Sequence, residues 1–146
     1  MEQNEGPLKI LLIDDNQDHA KILQWAFKKT GRHDEFTYFE DGTSALEYLK
    51  KLAAERREKP DLIFLDLNLP RLDGREVLRL LKEGETTKAI PVIVVSSSER
   101  EEDVRNAYEL GASSYLSKSA ILNDVDPMLK TIQQYWSKAA KLPNRT

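Results

Sequence analysis

Leu8-Lys9-Ile10-Leu11-Leu12-Ile13 is a short, nearly continuous apolar run that stops abruptly at Asp14-Asp15. Apolar residues on both alternating sides read as a strand covered on both faces, the pattern of a parallel sheet. The design recurs at Leu62-Ile63-Phe64-Leu65, which stops at Asp66, and at Pro91-Val92-Ile93-Val94-Val95, which stops at Ser96. Phe36–Phe39 and Tyr115-Leu116 are shorter candidates, so five strands are expected.

Between the strands, apolar residues recur at helical spacing: Ile22, Leu23, Ala26 and Phe27; Ala45, Leu46 and Leu49; Val77, Leu78 and Leu81; Val104, Ala107 and Tyr108. A fifth helix is expected from near Asp124, with Val125, Leu129, Ile132 and Trp136 on one face. Strand and helix thus alternate five times, and right-handed crossovers stack such units into a parallel sheet with helices on both faces. The expected class is α/β. In such open sheets ligands bind beyond the carboxyl ends of the strands, near the point where strand order reverses. Asp14, Asp15, Asp66 and Ser96 all stand at such ends.

Composition narrows the function. A chain of 146 residues holds one ordinary domain, and no apolar run approaches the roughly eighteen residues of a membrane span. The net charge of −3 offers no broad basic field, which argues against nucleic-acid binding. Without cysteine there is no disulfide, thiolate metal site or cysteine nucleophile, and the polar start of the chain is not signal-like, so a cytoplasmic setting is expected.

Three carboxylates gathered at one sheet edge repel one another, and a divalent cation offsets that repulsion. An all-oxygen donor set favours magnesium, which binds through a few carboxylates and keeps several waters. Asp66 would then serve as ligand and nucleophile, since an aspartate oxygen attacking a phosphoryl group gives an acyl phosphate. Taken alone, Asp14 and Asp15 could equally cap the first helix, which one of Asp15, Asn16 or Gln17 must begin.

Ile13-Asp14-Asp15, Leu65-Asp66-Leu67-Asn68-Leu69-Pro70 with Asp73-Gly74, Val95-Ser96, and Gly111-Ala112-Ser113-Ser114-Tyr115-Leu116-Ser117-Lys118 form an ordered set. Ser96 follows Asp66 by 30 positions, and Lys118 follows Ser96 by 22. In order, type and spacing the set resembles the response-regulator receivers of two-component systems (CheY-like, flavodoxin-like fold). The resemblance implies Asp66 as phosphoacceptor, Asp15 as a direct magnesium ligand, Asp14 as a metal-orienting carboxylate, and Asn68 giving its backbone carbonyl. It implies that Ser96 and Lys118 hold the phosphoryl oxygens and charge, and that Tyr115 is the switch aromatic coupled to Ser96. It further implies a sensor histidine kinase as partner and no output domain, because only 28 residues follow Lys118. On this reading 1–7 is a disordered segment, 8–138 the receiver and 139–146 a tail.

Ser119 stands where most receivers have proline, and the chain runs on through Tyr135-Trp136 to Leu142-Pro143. With the Asp66–Pro70 and Asp73–Leu78 stretches, these features resemble the single-domain regulators that partner cyanobacterial and bacterial phytochromes. Trp136 and Leu142 lie beyond a complete receiver core, so they are expected to extend a homodimer interface on the face of the fourth helix, fifth strand and fifth helix, the alternative being that Trp136 folds back on its own domain. Trp25, at the border of the first helix's apolar face, reads as core edge, with partner contact as the alternative. His19 and His33 read as surface residues, too far apart in sequence to suggest a metal pair. The competing enzyme reading is an aspartate-nucleophile phosphatase. That chemistry needs an acid/base Asp two residues after the nucleophile, where this chain has Asn68. A binding scaffold that has lost its phosphorylation chemistry would lack an acidic residue, the acceptor or the lysine, and none is missing.

Overall fold

The computed structural model describes residues 6–143. Of the expected disordered segment only Gly6 and Pro7 are described, and residues 144–146 of the expected tail also lie outside the described residues. The elements run β1 (Lys9–Ile13), α1 (Gln17–Lys28), β2 (Glu35–Phe39), α2 (Gly42–Ala54), β3 (Leu62–Leu65), α3 (Gly74–Glu83), β4 (Val92–Ser96), α4 (Glu101–Glu109), β5 (Ser114–Ser117), α5 (Lys118–Asn123) and α6 (Val125–Gln134). A π-helical turn follows at Tyr135–Ala139. The five strands form one parallel sheet in the order β2-β1-β3-β4-β5. Chain direction across the sheet reverses between β1 and β3, so the switch point falls at the carboxyl ends of those two strands.

Alternation along the strands fills two cores. Leu11, Ile13, Ile63, Leu65, Val92 and Val94 pack with residues of α2, α3 and α4. Ile10, Leu12, Leu62, Phe64, Ile93 and Val95 pack with residues of α1, α5 and α6. The ring of Phe27 meets Phe36 and Phe64 edge-on at centroid distances of 5.1 and 5.9 Å. No helix among the described residues is long and apolar enough to cross a membrane.

Three expectations are corrected. Six α-helices, not five, stand among the described residues, because α5 begins directly at Lys118, N-capped by the Ser117 side chain, which accepts from the Ala120 amide. A proline at 119 would steer Lys118 away from helical backbone, so Ser119 permits this start. Asp124, at φ −144° and ψ 55°, then separates α5 from α6. Secondly, the segment from Tyr135 to Leu142 folds back on its own domain. Leu142 is fully buried and Trp136 partly buried against the α1/α6 core, leaving Tyr135 as the exposed aromatic of that segment. Thirdly, Trp25 is not core edge: it is 63% exposed, with the Lys29 ammonium 3.9 Å above its ring.

Candidate functional site

Strand register builds the site. Ile13 pairs with Leu65, so the next residues, Asp14 and Asp66, emerge side by side at the switch point. The Asp66 amide still donates to the Ile13 carbonyl at 2.9 Å, which holds the two strand ends together. Across the sheet, Ser96 pairs with Ser117, and the following residue, Lys118, is carried to the same edge. Carboxylate oxygens of Asp14, Asp15 and Asp66 all lie within 4.8 Å of one another. Asp14 and Asp66 are buried, whereas Asp15 is exposed at the mouth.

Lys118 reaches over both buried acids. Its ammonium lies 2.8 Å from Asp66 Oδ2 and 3.2 Å from Asp14 Oδ2. Burial is the largest single effect and works against the lysine's charge, but the hydrogen bonds and charges of Asp66 and Asp14 together raise its pKa. For Asp14, burial is the largest effect and the Asp66 charge adds to it, so its carboxyl is held above the ordinary range despite the Asn16 amide and Lys118. One lysine therefore does not satisfy this cluster, and an all-oxygen set left with excess negative charge fits a small hard cation.

Local backbone bonds fix the acids. The Asn16 amide donates to Asp14 Oδ1 at 2.8 Å, and the Asn68 amide to Asp66 Oδ1 at 2.9 Å. The helix start is Asn16, whose side chain accepts from the His19 amide, which leaves Asp14 and Asp15 to the cluster. Gly74 starts α3 as expected, with Asp73 as its cap. A Cβ at Gly74 would lie 2.4 Å from the Asp66 carbonyl oxygen and from Leu67 Cα, so only glycine lets α3 abut the acceptor strand.

Ser96 is fully buried, and its hydroxyl accepts from the Ser98 amide at 3.2 Å. The Tyr115 hydroxyl donates to the Ser98 carbonyl at 2.8 Å, tying the switch residue to the loop that Ser96 begins. Asp14, Asp15, Asp66 and Lys118 thus meet at one edge with Asn68 beside them, while Ser96 and Tyr115 are joined to each other through Ser98. Others gave no signal in the sequence. The Tyr38 hydroxyl donates to the Asp14 carbonyl at 2.7 Å, and burial pushes its pKa up to about 12. The Asn68 side-chain amide donates to Ser97 Oγ at 3.1 Å across the entrance. His19, expected at the surface, is instead partly buried and lines the same cleft of about 620 Å3 as Asp15, Asp66 and Lys118.

Comparison with known proteins agrees with this geometry. Residues 10–130 match the response regulator receiver domain model. The chain belongs to that family. As a receiver it is a signalling module rather than a classical enzyme. It is 38% identical over 132 residues to the probable methanogenesis regulatory protein FilR2 of Methanothrix harundinacea, covering 90% of this chain and 85% of that one. It is 36% identical over 143 residues to the response regulator Rcp1 of Synechocystis, covering 97% of each. The crystal structure of Mn2+-bound Rcp1 superposes with a TM-score of 0.83 at 38% identity, over 94% of this chain and 99% of that one. The phosphorylated cyanobacterial phytochrome response regulator RcpA superposes with a TM-score of 0.85 at 38% identity over the same shares. This receiver therefore sits among single-domain regulators, several of them phytochrome-linked.

Proposed function

We propose that this receiver takes a phosphoryl group on Asp66 from a phosphohistidine of a sensor histidine kinase, phytochrome-type by its likeness to RcpA, and signals through altered protein contacts. The observation that carries it is the buried Asp66 carboxylate, with Oδ1 held by a backbone amide and Oδ2 by Lys118 at 2.8 Å. In the transfer an Asp66 oxygen bonds to phosphorus as the phosphorus–nitrogen bond breaks, its electron pair staying on the imidazole. Asp14, Asp15, Asp66 and the Asn68 backbone carbonyl would hold the magnesium ion. When bound, it offsets the charge clash between acceptor and phosphoryl group.

The chain's own groups do the rest. Lys118 leaves the carboxylates for the new phosphoryl charge, and Ser96 donates its hydroxyl to a phosphoryl oxygen. That withdraws Ser96 from the Ser98 amide, and Tyr115, bonded to the Ser98 carbonyl, follows the loop. Slow self-hydrolysis of the acyl phosphate resets the module, since Asn68 at the mouth offers no proton-donating acid. The setting is cytoplasmic.

The decisive experiment is phosphorylation by acetyl phosphate, or beryllofluoride binding, in magnesium. Wild type responds and Asp66→Asn does not; equal labelling of the two would sink the assignment. Phosphotransfer from candidate kinases, phytochrome-type first, identifies the partner. Self-association belongs to the same reading, now supported by Tyr108 rather than the chain's end. Tyr108 is 47% exposed on α4, and its hydroxyl accepts from the Tyr115 amide at the β5 edge. Sedimentation with and without beryllofluoride tests it, and a monomer in both states at high micromolar concentration removes the homodimer.

A further inference from the structure

The phosphoryl edge is acidic, but the flank where the C-terminal end of α1 meets α6 and the π-helical turn is basic. A cleft of about 410 Å3 there is lined by Lys29, Arg32, Lys130 and Lys138, with Asp126 as its one carboxylate among the described residues. The chain as a whole carries a net charge of −3, so this gathering of cations is local. Lys29 is paired with Asp126 at 3.1 Å, and Arg32 with Asp34 at 3.3 Å. Lys130 and Lys138 have no ion-pair partner among the described residues. Helix dipoles account for Lys29 and Lys138, each near a helix end, but not for Lys130 in the middle of α6.

A second feature is independent of charge. Ser137 also lines the cleft and is 1% exposed, yet its hydroxyl has no hydrogen-bond partner among the described residues. Buried hydroxyls are nearly always bonded, and an exception asks for a ligand or an ordered solvent partner. Ser137 belongs to the π-helical turn, in which the Ala140 amide donates five residues back to the Tyr135 carbonyl at 2.7 Å. Such turns interrupt the regular helix frequently at functional sites.

We propose that this cleft binds a small tetrahedral oxyanion of the phosphate class, with Lys130 and Lys138 meeting its charge and the Ser137 hydroxyl donating to one oxygen. It shares no lining residue with the cleft at Asp66, so it is a second site and not part of the phosphoryl edge. Free phosphate, a phosphate monoester and a polyphosphate group carry the same chemistry.

The test is a titration of the full chain, labelled with nitrogen-15 and free of magnesium, with inorganic phosphate, glycerol 3-phosphate and pyrophosphate at ionic strength fixed with chloride. Amides of residues 129–140 should shift and saturate. Lys130→Gln with Lys138→Gln should weaken binding about tenfold, the effect of two exposed charge contacts at the upper end of their usual worth. Ser137→Ala, which keeps the packing, should weaken it separately. Tighter binding of pyrophosphate than of phosphate assigns a polyphosphate ligand, and equal binding of phosphate and glycerol 3-phosphate assigns a free ion or monoester. Shifts that stay linear with concentration, that chloride reproduces, or that the double variant leaves unchanged overturn the site. Because Asp66 lies in the other cleft, that failure leaves the receiver function intact.

Discussion

On the proposed function Asp66 and Tyr115 answer to the same phosphoryl group, yet their surroundings are built on different principles. Around Asp66 the groups are charged and buried: two acids under one lysine, with burial and mutual repulsion opposing the charges. Around Tyr115 the bonds are those of single hydroxyls to one loop: the Tyr115 hydroxyl donates to the Ser98 carbonyl, the Ser98 amide donates to the buried Ser96 hydroxyl, and Ser98 Oγ donates to the Asp103 carboxylate at 2.5 Å. Charges in a low-dielectric edge interact strongly and change state sharply when a new charge arrives. Single hydrogen bonds each contribute little net, so a loop held by a few of them rearranges for a small free-energy difference. On that proposal the first region senses and the second yields.

The largest blow to this contrast comes from Lys118→Ala. Removing one member of a buried ion group leaves the others uncompensated, at a cost of about 3 kcal/mol. Denaturant unfolding without magnesium should show that loss, and magnesium should restore more stability to the variant than to wild type. Phosphorylation at Asp66 should persist while the Tyr115 response is lost. The wild-type contribution also has a pH signature. Because the Lys118 pKa is raised in the folded state, its stabilisation is complete below the unfolded value near 10.5 and fades as pH rises through the folded one. An alkaline unfolding series that looks the same for wild type and Lys118→Ala contradicts the pairing.

Asp14→Asn has a smaller effect of opposite sign. Burial and the Asp66 charge hold the Asp14 carboxyl above its usual range, so ionised Asp14 destabilises the metal-free fold as pH rises through that value. The neutral amide should raise the metal-free melting temperature by roughly 2–4 °C, the shift about 1 kcal/mol produces in a chain of this size. It should also blunt the stabilisation by magnesium. A variant less stable than wild type without metal would mean that the Lys118 contact outweighs the repulsion.

The two regions were not equally legible in the sequence. Strand-end residues announce themselves, because an apolar run that stops at an acid tells both where the strand ends and what stands there, and parallel register then puts Asp14 beside Asp66. The helices of the α2 to α4 side follow from apolar spacing for the same reason. The end of the chain was misread because periodicity says that Trp136 and Leu142 want cover but not which surface supplies it. The core beside α1 and α6 does: Leu142 is buried in it and Trp136 packs against it. Tyr38 and Ser97 were illegible for a different reason: each acts through one hydrogen bond set by three-dimensional placement, to the Asp14 carbonyl and from the Asn68 amide respectively.

The smallest expected effect sharpens the contrast most. Tyr115→Phe removes a single bond, from the phenol to the Ser98 carbonyl, and leaves the ring packed against the α2 to α4 core. A neutral bond near solvent contributes about 0.5–1.5 kcal/mol net, and the partly exposed carbonyl recovers part of that from water, so the loss should fall near the lower bound. Phosphorylation chemistry should be untouched, because no atom of Tyr115 meets the carboxylates. The difference should appear in the loop between β4 and α4, whose amides lose their coupling to β5 when beryllofluoride is added, as followed by NMR. Ser98 would still be held by Ser96 and Asp103, so the loop stays folded while the link to the α4–β5 face is cut. If Tyr115→Phe instead costs as much stability as Lys118→Ala, the tyrosine is a structural strut and the yielding element must be sought elsewhere on that face.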